Sequence, residues 1–391
     1  MQVIGSVDPA IGGPIEGVLQ TSRWSQSAGN QIDLLTLDDP SDPLLKNYPF
    51  PVHAVGPVRS LFGYTPKLVP WLRQNAARYD VVVVNGLWQF ITYAVRRALR
   101  PIHVPYVVFP HGMLDPYFKH AFPWKHRKKA VYWRLFERSV LEDAAAVAFT
   151  CEQERVLARE TFPPLRVREA VVGYGTSAPE VDLAAAKEQF LGEHPALRGK
   201  RIALFISRIH PKKGCDLLLK AFAAALASDP EWRLVMAGPD QTGWQAELVE
   251  LARSLGLADR VVWTGMITGT MKWGAFGAAE IFVLPSHQEN FGIAVVEALA
   301  CGLPVLISKQ INIWEEISRC GAGICESDTL EGTISMLTRW SEMDEAQKET
   351  MRAATRPCFY KHFEAKATSN ALDALLARVI ADSRAAKAPG K

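Results

Sequence analysis

The stretch Pro285-Ser286-His287-Gln288-Glu289-Asn290-Phe291-Gly292-Ile293-Ala294-Val295-Val296-Glu297 sets two carboxylates, Glu289 and Glu297, on either side of a glycine. It follows the apolar run Ile281-Phe282-Val283-Leu284, which Pro285 ends, and this predicts a short strand buried on both faces of a parallel sheet. Residues 291–301 predict a helix, Gly302-Leu303-Pro304 its stop, and 305–307 the next strand. In an open α/β sheet, ligands lie beyond the carboxyl ends of the strands, so Glu289 stands in a loop where chemistry is expected. Glu297 follows about two helical turns later, near enough to touch another part of the same ligand. Two Glu at this spacing also arise by chance. The plainer alternative makes Glu289 a solvated loop residue and Glu297 a surface position on an amphipathic helix.

Outward from this unit, strand-like and helix-like segments alternate twice along the chain, with no low-complexity tract and no short repeat. In the first half, strands are predicted near 3–5, 32–36, 81–84, 104–109 and 144–149. The second half restarts at 201–207 and continues at 233–237, 261–264, 281–284 and 305–307. A chain of 391 residues exceeds what one hydrophobic core usually serves, so two doubly wound domains are expected, 1–178 and 179–363. Residues 177–199 hold Pro179, Gly192, Pro195 and Gly199 around an alanine-rich helical piece, which suits a connection between domains. A last helix is predicted at about 364–381, within a C-terminal segment 364–391.

Composition narrows the classes. With 48% apolar and 22% charged residues, usage is that of a soluble globular protein. A net charge of +3, without a zinc-finger or RNA-binding signature, gives no reason to expect a nucleic-acid partner. The six cysteines, Cys151, Cys215, Cys301, Cys320, Cys325 and Cys358, are scattered without paired CxxC spacing, as free thiols of a reducing cytosol would be. No secretory leader pattern and no run of 18 or more apolar residues is present, so a cytoplasmic chain without a spanning helix is expected.

Three further strand-to-loop junctions carry chemistry. Ser207-Arg208-Ile209-His210-Pro211-Lys212-Lys213-Gly214-Cys215-Asp216 projects Arg208 and Lys213 from one loop, where a pyrophosphate could meet both a bidentate guanidinium and a point-charge ammonium. The alternative is a basic surface loop. Ile11-Gly12-Gly13-Pro14-Ile15 follows the first strand; glycines there let backbone N–H groups approach a phosphate at the positive end of the next helix. Phe109-Pro110-His111-Gly112-Met113 follows another apolar strand, although a lone His is usually structural. Beside it, Trp88 in Asn85-Gly86-Leu87-Trp88 is either a stacking surface for a sugar or a core tryptophan.

Taken together, the Glu-x7-Glu string, the Arg208 and Lys213 loop, the glycine loop and the His-Gly pair resemble the retaining glycosyltransferases of family 4, the glycosyl transferases group 1. The resemblance covers almost the whole chain. It implies an α/β GT-B fold, two Rossmann-like doubly wound domains facing each other across a cleft, with the last helix crossing back to the first domain. It also implies a nucleoside-diphosphate sugar as donor. Glu289 would lie against the sugar, Glu297 on the ribose hydroxyls, and Arg208 and Lys213 on the diphosphate. Asn290, Phe291 and Gly292 complete the donor-binding turn, Gly12 and Gly13 approach the phosphate, and His111 positions the sugar. The implied reaction is retaining and metal-independent, with no cofactor beyond the donor. The acceptor is a hydroxyl of a glycan or lipid-linked molecule, and the implied setting is bacterial surface-polysaccharide synthesis. Two departures stand out: Asn85 occupies a position where many relatives have His, and Val171-Val172-Gly173-Tyr174-Gly175 replaces a Pro-Asn-Gly sequence. A non-hydrolysing sugar-nucleotide 2-epimerase and a non-catalytic sugar-nucleotide-binding protein share the fold and are the competing readings.

Residues 124–134, Trp-Lys-His-Arg-Lys-Lys-Ala-Val-Tyr-Trp-Arg, mix aromatic and basic side chains on a predicted helix. Such a face suits an anionic membrane surface, which would make the protein peripheral on the inner face of the plasma membrane. The alternative is a solvated basic helix whose Val131, Trp133 and Phe136 enter the core. Thr150-Cys151-Glu152-Gln153 predicts a capping box with Thr150 as the cap, and neither Glu152 nor Glu154 is assigned to catalysis. Asp38, Asp39 and Asp42 do not have the spacing of a metal site.

Overall fold

The computed structural model describes residues 1–8, 13–58, 60–121, 123–163 and 165–387. The chain divides into two units, Met1–Gly175 with Ala365–Lys391, and Thr176–Glu364. These divisions fall after Gly175 and Glu364, where the sequence suggested 178 and 363.

The first unit is built on a parallel sheet of β1 (Gln2–Val3), β2 (Leu34–Thr36), β3 (Val52–Ala54), β4 (Val82–Asn85), β5 (Tyr106–Phe109), β6 (Ala146–Phe149) and β7 (Glu169–Val171), in the order β3-β2-β1-β4-β5-β6-β7. Alternate residues of its central strands serve opposite cores. Val82, Val84, Val108 and Val147 join one cluster with the helices Leu68–Asn75 and Phe90–Leu99. Val83, Val107, Ala146 and Ala148 join the other, which is covered by Leu372, Leu375 and Val379 of the helix Ala365–Lys387. Burial on both faces is why these strands read as continuous apolar runs. The last helix is also tied to the helix Gly13–Ser27: Ser369 Oγ donates to the Thr21 carbonyl at 3.0 Å, and Ser25 Oγ to Asp373 at 2.8 Å.

The second unit repeats the plan with β8 (Arg201–Ile206), β9 (Trp232–Ala237), β10 (Val261–Gly265), β11 (Ile281–Leu284), β12 (Val305–Ser308) and β13 (Gly323–Glu326), all parallel, in the order β10-β9-β8-β11-β12-β13. Strand order reverses between β8 and β11, which pair through Ile281 with Ala203 and Phe282 with Leu204. In doubly wound sheets, that switch point is where ligands bind.

Three strands escaped the sequence reading. β3, β7 and β13 are all sheet edges, and most of their residues are only half-buried, so none presents an unbroken apolar run. The segment 177–199, expected as a connection around an alanine-rich helical piece, lies within the second unit. It contains the helix Leu183–Glu193, which buries Ala186, Phe190 and Leu191 as part of the second unit. Pro179, Gly192, Pro195 and Gly199 in and around it suggested a connection, yet the helix packs closely, since a Cβ on Gly274 would lie 2.2 Å from the Ala186 carbonyl oxygen.

Candidate active site

Residues 207–214 leave the carboxyl end of β8, and a tight turn, Pro211–Lys213, follows, in which His210 Nδ1 accepts from the Lys212 N–H at 3.1 Å. Gly214 then opens the helix Cys215–Ala225 at φ +67°, and a Cβ there would lie 2.3 Å from the Pro285 carbonyl oxygen. Only glycine satisfies both conditions. The close approach brings the loops after β8 and β11 into contact: Ser286 Oγ and the His287 N–H both donate to the Lys212 carbonyl, at 3.0 and 2.8 Å.

Arg208 and Lys213 come from this one loop but differ in environment. Arg208 is exposed, and among the described residues its guanidinium has neither a hydrogen bond nor an ion pair. Lys213 is buried and forms an ion pair with Glu289. Burial, then Lys212 and Arg208, push its pKa down to about 7, against the pull of the Glu289 carboxylate toward the charged form. Burial also lowers the pKa of His210, followed by Arg208, Lys212 and Lys213, so the loop is electropositive throughout.

The β11 loop is pinned through its backbone. The Glu289 N–H donates to the Gln310 carbonyl at 3.0 Å, and the Glu289 carbonyl accepts from Asn312 N–H at 3.1 Å. Asn290 Oδ1 accepts from Asn312 Nδ2 at 3.4 Å. Phe291 packs edge-on against Phe363 in the core, so any contact it makes with a ligand comes from its backbone. Gly292, at φ +74°, turns the chain into the helix Ile293–Ala300, shorter than the predicted 291–301. Glu297 is no surface position: it is 7% exposed and its Oε1 lies 2.7 Å from Nζ of Lys272, on the helix Gly269–Ala278. Lys272 was not legible as a site residue, since no motif surrounds it; the only hint is a lone cation in an otherwise apolar and small-residue helix.

In the first unit, Gly12 lies outside the described residues, and Gly13 is the first residue of the helix Gly13–Ser27. His111 follows β5 with a left-handed backbone, φ +48°, and its Nε2 faces Asn85 Oδ1 at 3.0 Å. Its ring stacks on Phe109 and meets Tyr174 edge-on, with centroids 5.5 and 6.0 Å away. The residue as a whole is half-buried, and burial lowers the imidazole pKa to about 4. The capping reading is corrected by one residue: Cys151 caps the helix Glu152–Thr161, and Glu154, not Gln153, reaches back to Thr150. Glu154 also accepts from the Gly112 N–H at 2.6 Å, a role the sequence did not disclose.

Trp88 belongs to the core reading. Its ring packs against Trp133 and Phe162, its Nε1 donates to the Met113 carbonyl at 3.2 Å, and Lys129 Nζ lies 4.5 Å from its centroid. Among the described residues, no group of three or more His, Cys, Asp or Glu is placed to hold a metal ion, and no helix is long and apolar enough to cross a membrane.

Comparison with known proteins agrees with this architecture. Residues 12–175 match the family described as "Glycosyl transferase 4-like domain", and residues 187–355 match "Glycosyl transferases group 1". A GDP-mannose:cellobiosyl-diphosphopolyprenol alpha-mannosyltransferase of Xanthomonas campestris is 27% identical, covering 91% of this chain and 90% of its own. A D-inositol 3-phosphate glycosyltransferase of Nocardia farcinica is 35% identical over 44% of this chain and 39% of its own. In fold, the chain is similar to sucrose-phosphate synthase of Thermosynechococcus elongatus, with a TM-score of 0.78, 22% identity, and 97% and 98% of the two chains covered. It is also similar to Anabaena HepE in complex with UDP, with a TM-score of 0.78, 19% identity, and 96% and 99% covered. The chain belongs to the group 1 glycosyltransferases and has the GT-B fold. It is an enzyme of glycosyl transfer from a nucleotide sugar; these relatives do not favour the epimerase or the non-catalytic binding protein.

Proposed function

We propose that the protein is a retaining, metal-independent transferase that moves a hexose from a nucleoside-diphosphate sugar to a hydroxyl of a lipid-linked glycan, at the cytoplasmic face of a bacterial membrane. The observation that carries this reading is the meeting of the β8 and β11 loops at the switch point, with Arg208, Lys213 and Glu289 on them. Arg208 and Lys213 take the diphosphate, Glu297 the ribose, and Glu289 the sugar; the N–H groups of residues 290–292 complete the turn. His111 positions the sugar, and Gly12 and Gly13 serve the phosphate. The bond between C1 and the diphosphate oxygen breaks with its electron pair going to the diphosphate. The acceptor oxygen bonds to C1 on the same face, and its proton passes to the departing diphosphate oxygen. Cations aimed at the charge that develops on the leaving group can account for several kcal/mol of barrier lowering. Glu289 is given no covalent role, because its carboxylate is engaged with Lys213. The reading calls for no cofactor beyond the donor.

GDP-mannose is the first donor to test, since the relative similar over nine-tenths of the chain is named for it. A membrane-facing acceptor side is supported by the helix Pro123–Tyr132 and the turn after it. Trp124, Val131 and Leu135 are 75%, 61% and 64% exposed there, beside exposed Lys125, Arg127 and Lys128. Of the residues expected to enter the core, Trp133 does and Val131 does not.

The test incubates the protein with GDP-, UDP- and ADP-sugars and lipid-linked acceptors, following nucleotide release and sugar isomerisation, beside Arg208→Ala and Glu289→Ala. Acceptor-dependent release, lost in both variants, is the expected result. Isomer without release would overturn the reading.

A further inference from the structure

We propose that Asn85 and Glu154 are positioning residues that hold His111 from two sides and present its imidazole to the donor sugar as the Nε2–H tautomer. The inference rests on the assignment of His111 to the sugar and deepens it.

The ring is held by Asn85, the last residue of β4. Its Nδ2 donates to Gln2 Oε1 at 3.0 Å and to the Val3 carbonyl at 3.4 Å, which settles which end of the amide is which. Its Oδ1 therefore faces His111 Nε2, 3.0 Å away, and an amide oxygen only accepts. The hydrogen must sit on Nε2. The lone pair then lies on Nδ1, so His111 accepts a hydrogen bond from a sugar hydroxyl and does not donate one. Burial, which lowers the imidazole pKa to about 4, keeps a second proton away at neutral pH. A histidine in place of Asn85 would not impose this choice, because its ring nitrogen could donate or accept.

The backbone is held by Glu154. His111 and Gly112 are both left-handed, at φ +48° and +73°, a conformation that strains a residue with a Cβ. Glu154, 3% exposed, accepts from the Gly112 N–H at 2.6 Å with one oxygen. With the other it accepts from the Thr150 N–H at 2.7 Å and Thr150 Oγ1 at 2.6 Å. Closing the helix start needs only the contacts to Thr150. The added contact to Gly112 couples the β6 loop to the β5 loop and fixes the peptide next to the imidazole with a charge-assisted bond.

The test uses full-length protein labelled with 15N-histidine, with His111 assigned by its disappearance in His111→Gln. Long-range 1H–15N spectra are expected to show a pyrrole-like Nε2 and a pyridine-like Nδ1, and averaging of the two in Asn85→Leu. Kinetics use whichever of GDP-mannose and UDP-glucose is turned over. Glu154→Ala is expected to lower kcat by about ten- to a hundredfold, the scale of a misplaced catalytic contact, with KM for the donor changed less than about twofold. Glu154→Gln should recover part of the loss. In a His111→Ala background, Glu154→Ala should cost nothing further, whereas a purely structural role would cost the same in both backgrounds. An Nδ1–H tautomer in the wild type, a spectrum unchanged in Asn85→Leu, or equal losses in both backgrounds would overturn the inference. A kcat unchanged by His111→Ala would instead overturn the sugar assignment on which it rests.

Discussion

Lys213 and Glu289, 76 residues apart in sequence, form an ion pair between the loops that follow β8 and β11. Burial, Lys212 and Arg208 hold the lysine pKa at about 7, so in the free enzyme the ammonium persists below about pH 7 and is lost above it. A diphosphate needs the charged form. Consequently kcat/KM for the donor should fall about tenfold per pH unit above about 7, and Lys213→Arg should flatten that limb. Stability runs the other way. An unfolded lysine keeps its proton up to 10.5 while the folded one keeps it only to about 7, so the unfolded state binds more protons in that window. Stability from this group therefore rises as pH climbs through it. Paired pH profiles of kcat/KM and Tm check both signs; a flat kcat/KM between pH 7 and 9 would remove Lys213 from the diphosphate.

Arg208 offers a cleaner separation of binding from folding. It is exposed and its guanidinium makes no hydrogen bond or ion pair among the described residues, so Arg208→Ala should leave Tm unchanged within about 1 °C. Loss of charge-assisted bonds to phosphate should nevertheless raise the Kd for nucleoside diphosphate about ten- to a hundredfold. Calorimetric titration beside thermal melts decides it, and an unchanged Kd would leave Arg208 a surface cation.

The Glu297–Lys272 pair predicts a nucleoside-specific signature. Glu297→Gln should raise KM for the donor about tenfold with little change in kcat, and a donor lacking ribose hydroxyls should lose affinity in the wild type but not in that variant. Lys272→Met leaves a buried carboxylate without this partner, so it should lower Tm as well as affinity. If deoxy-donors are discriminated equally by both proteins, Glu297 does not contact ribose.

Lys125, Arg127 and Lys128 are exposed beside Trp124, whose ring lies 4.7 Å from the Arg127 guanidinium. Changing these three to Glu should release the protein from anionic vesicles at low salt, at a cost of about 1 kcal/mol per charge removed. Lys129 is left in place because it packs over Trp88. Equal sedimentation of wild type and variant would dispose of the membrane face.

The parts of the molecule that sequence disclosed share one property: they are local. Strands buried on both faces advertise themselves as apolar runs, and the loops after β8 and β11 carry their charged residues within a dozen positions. The edge strands β3, β7 and β13 stay silent because half their surface is wet. Lys272 and Glu154 stay silent for a different reason. Each acts on a residue 25 or 42 positions away, and only the fold brings Lys272 to Glu297 or Glu154 to Gly112. Asn85 was legible as a departure from relatives, but its effect on His111 depends on which of its amide atoms faces the ring, a matter of three-dimensional partners.

The second unit enters at Thr176 and leaves at Glu364, and these two residues are bridge partners, with the Thr176 N–H donating to the Phe363 carbonyl at 3.1 Å. It is therefore an uninterrupted segment with adjacent ends, of the kind that tolerates excision. The first unit is not. Until residues beyond 364 have left the ribosome, one face of its sheet, with Val83, Val107 and Ala148, lacks the cover of Leu372, Leu375 and Val379. Synthesis thus completes the later unit before the earlier one, and a nascent chain stalled short of its last helix carries a bare apolar sheet for chaperones to shield.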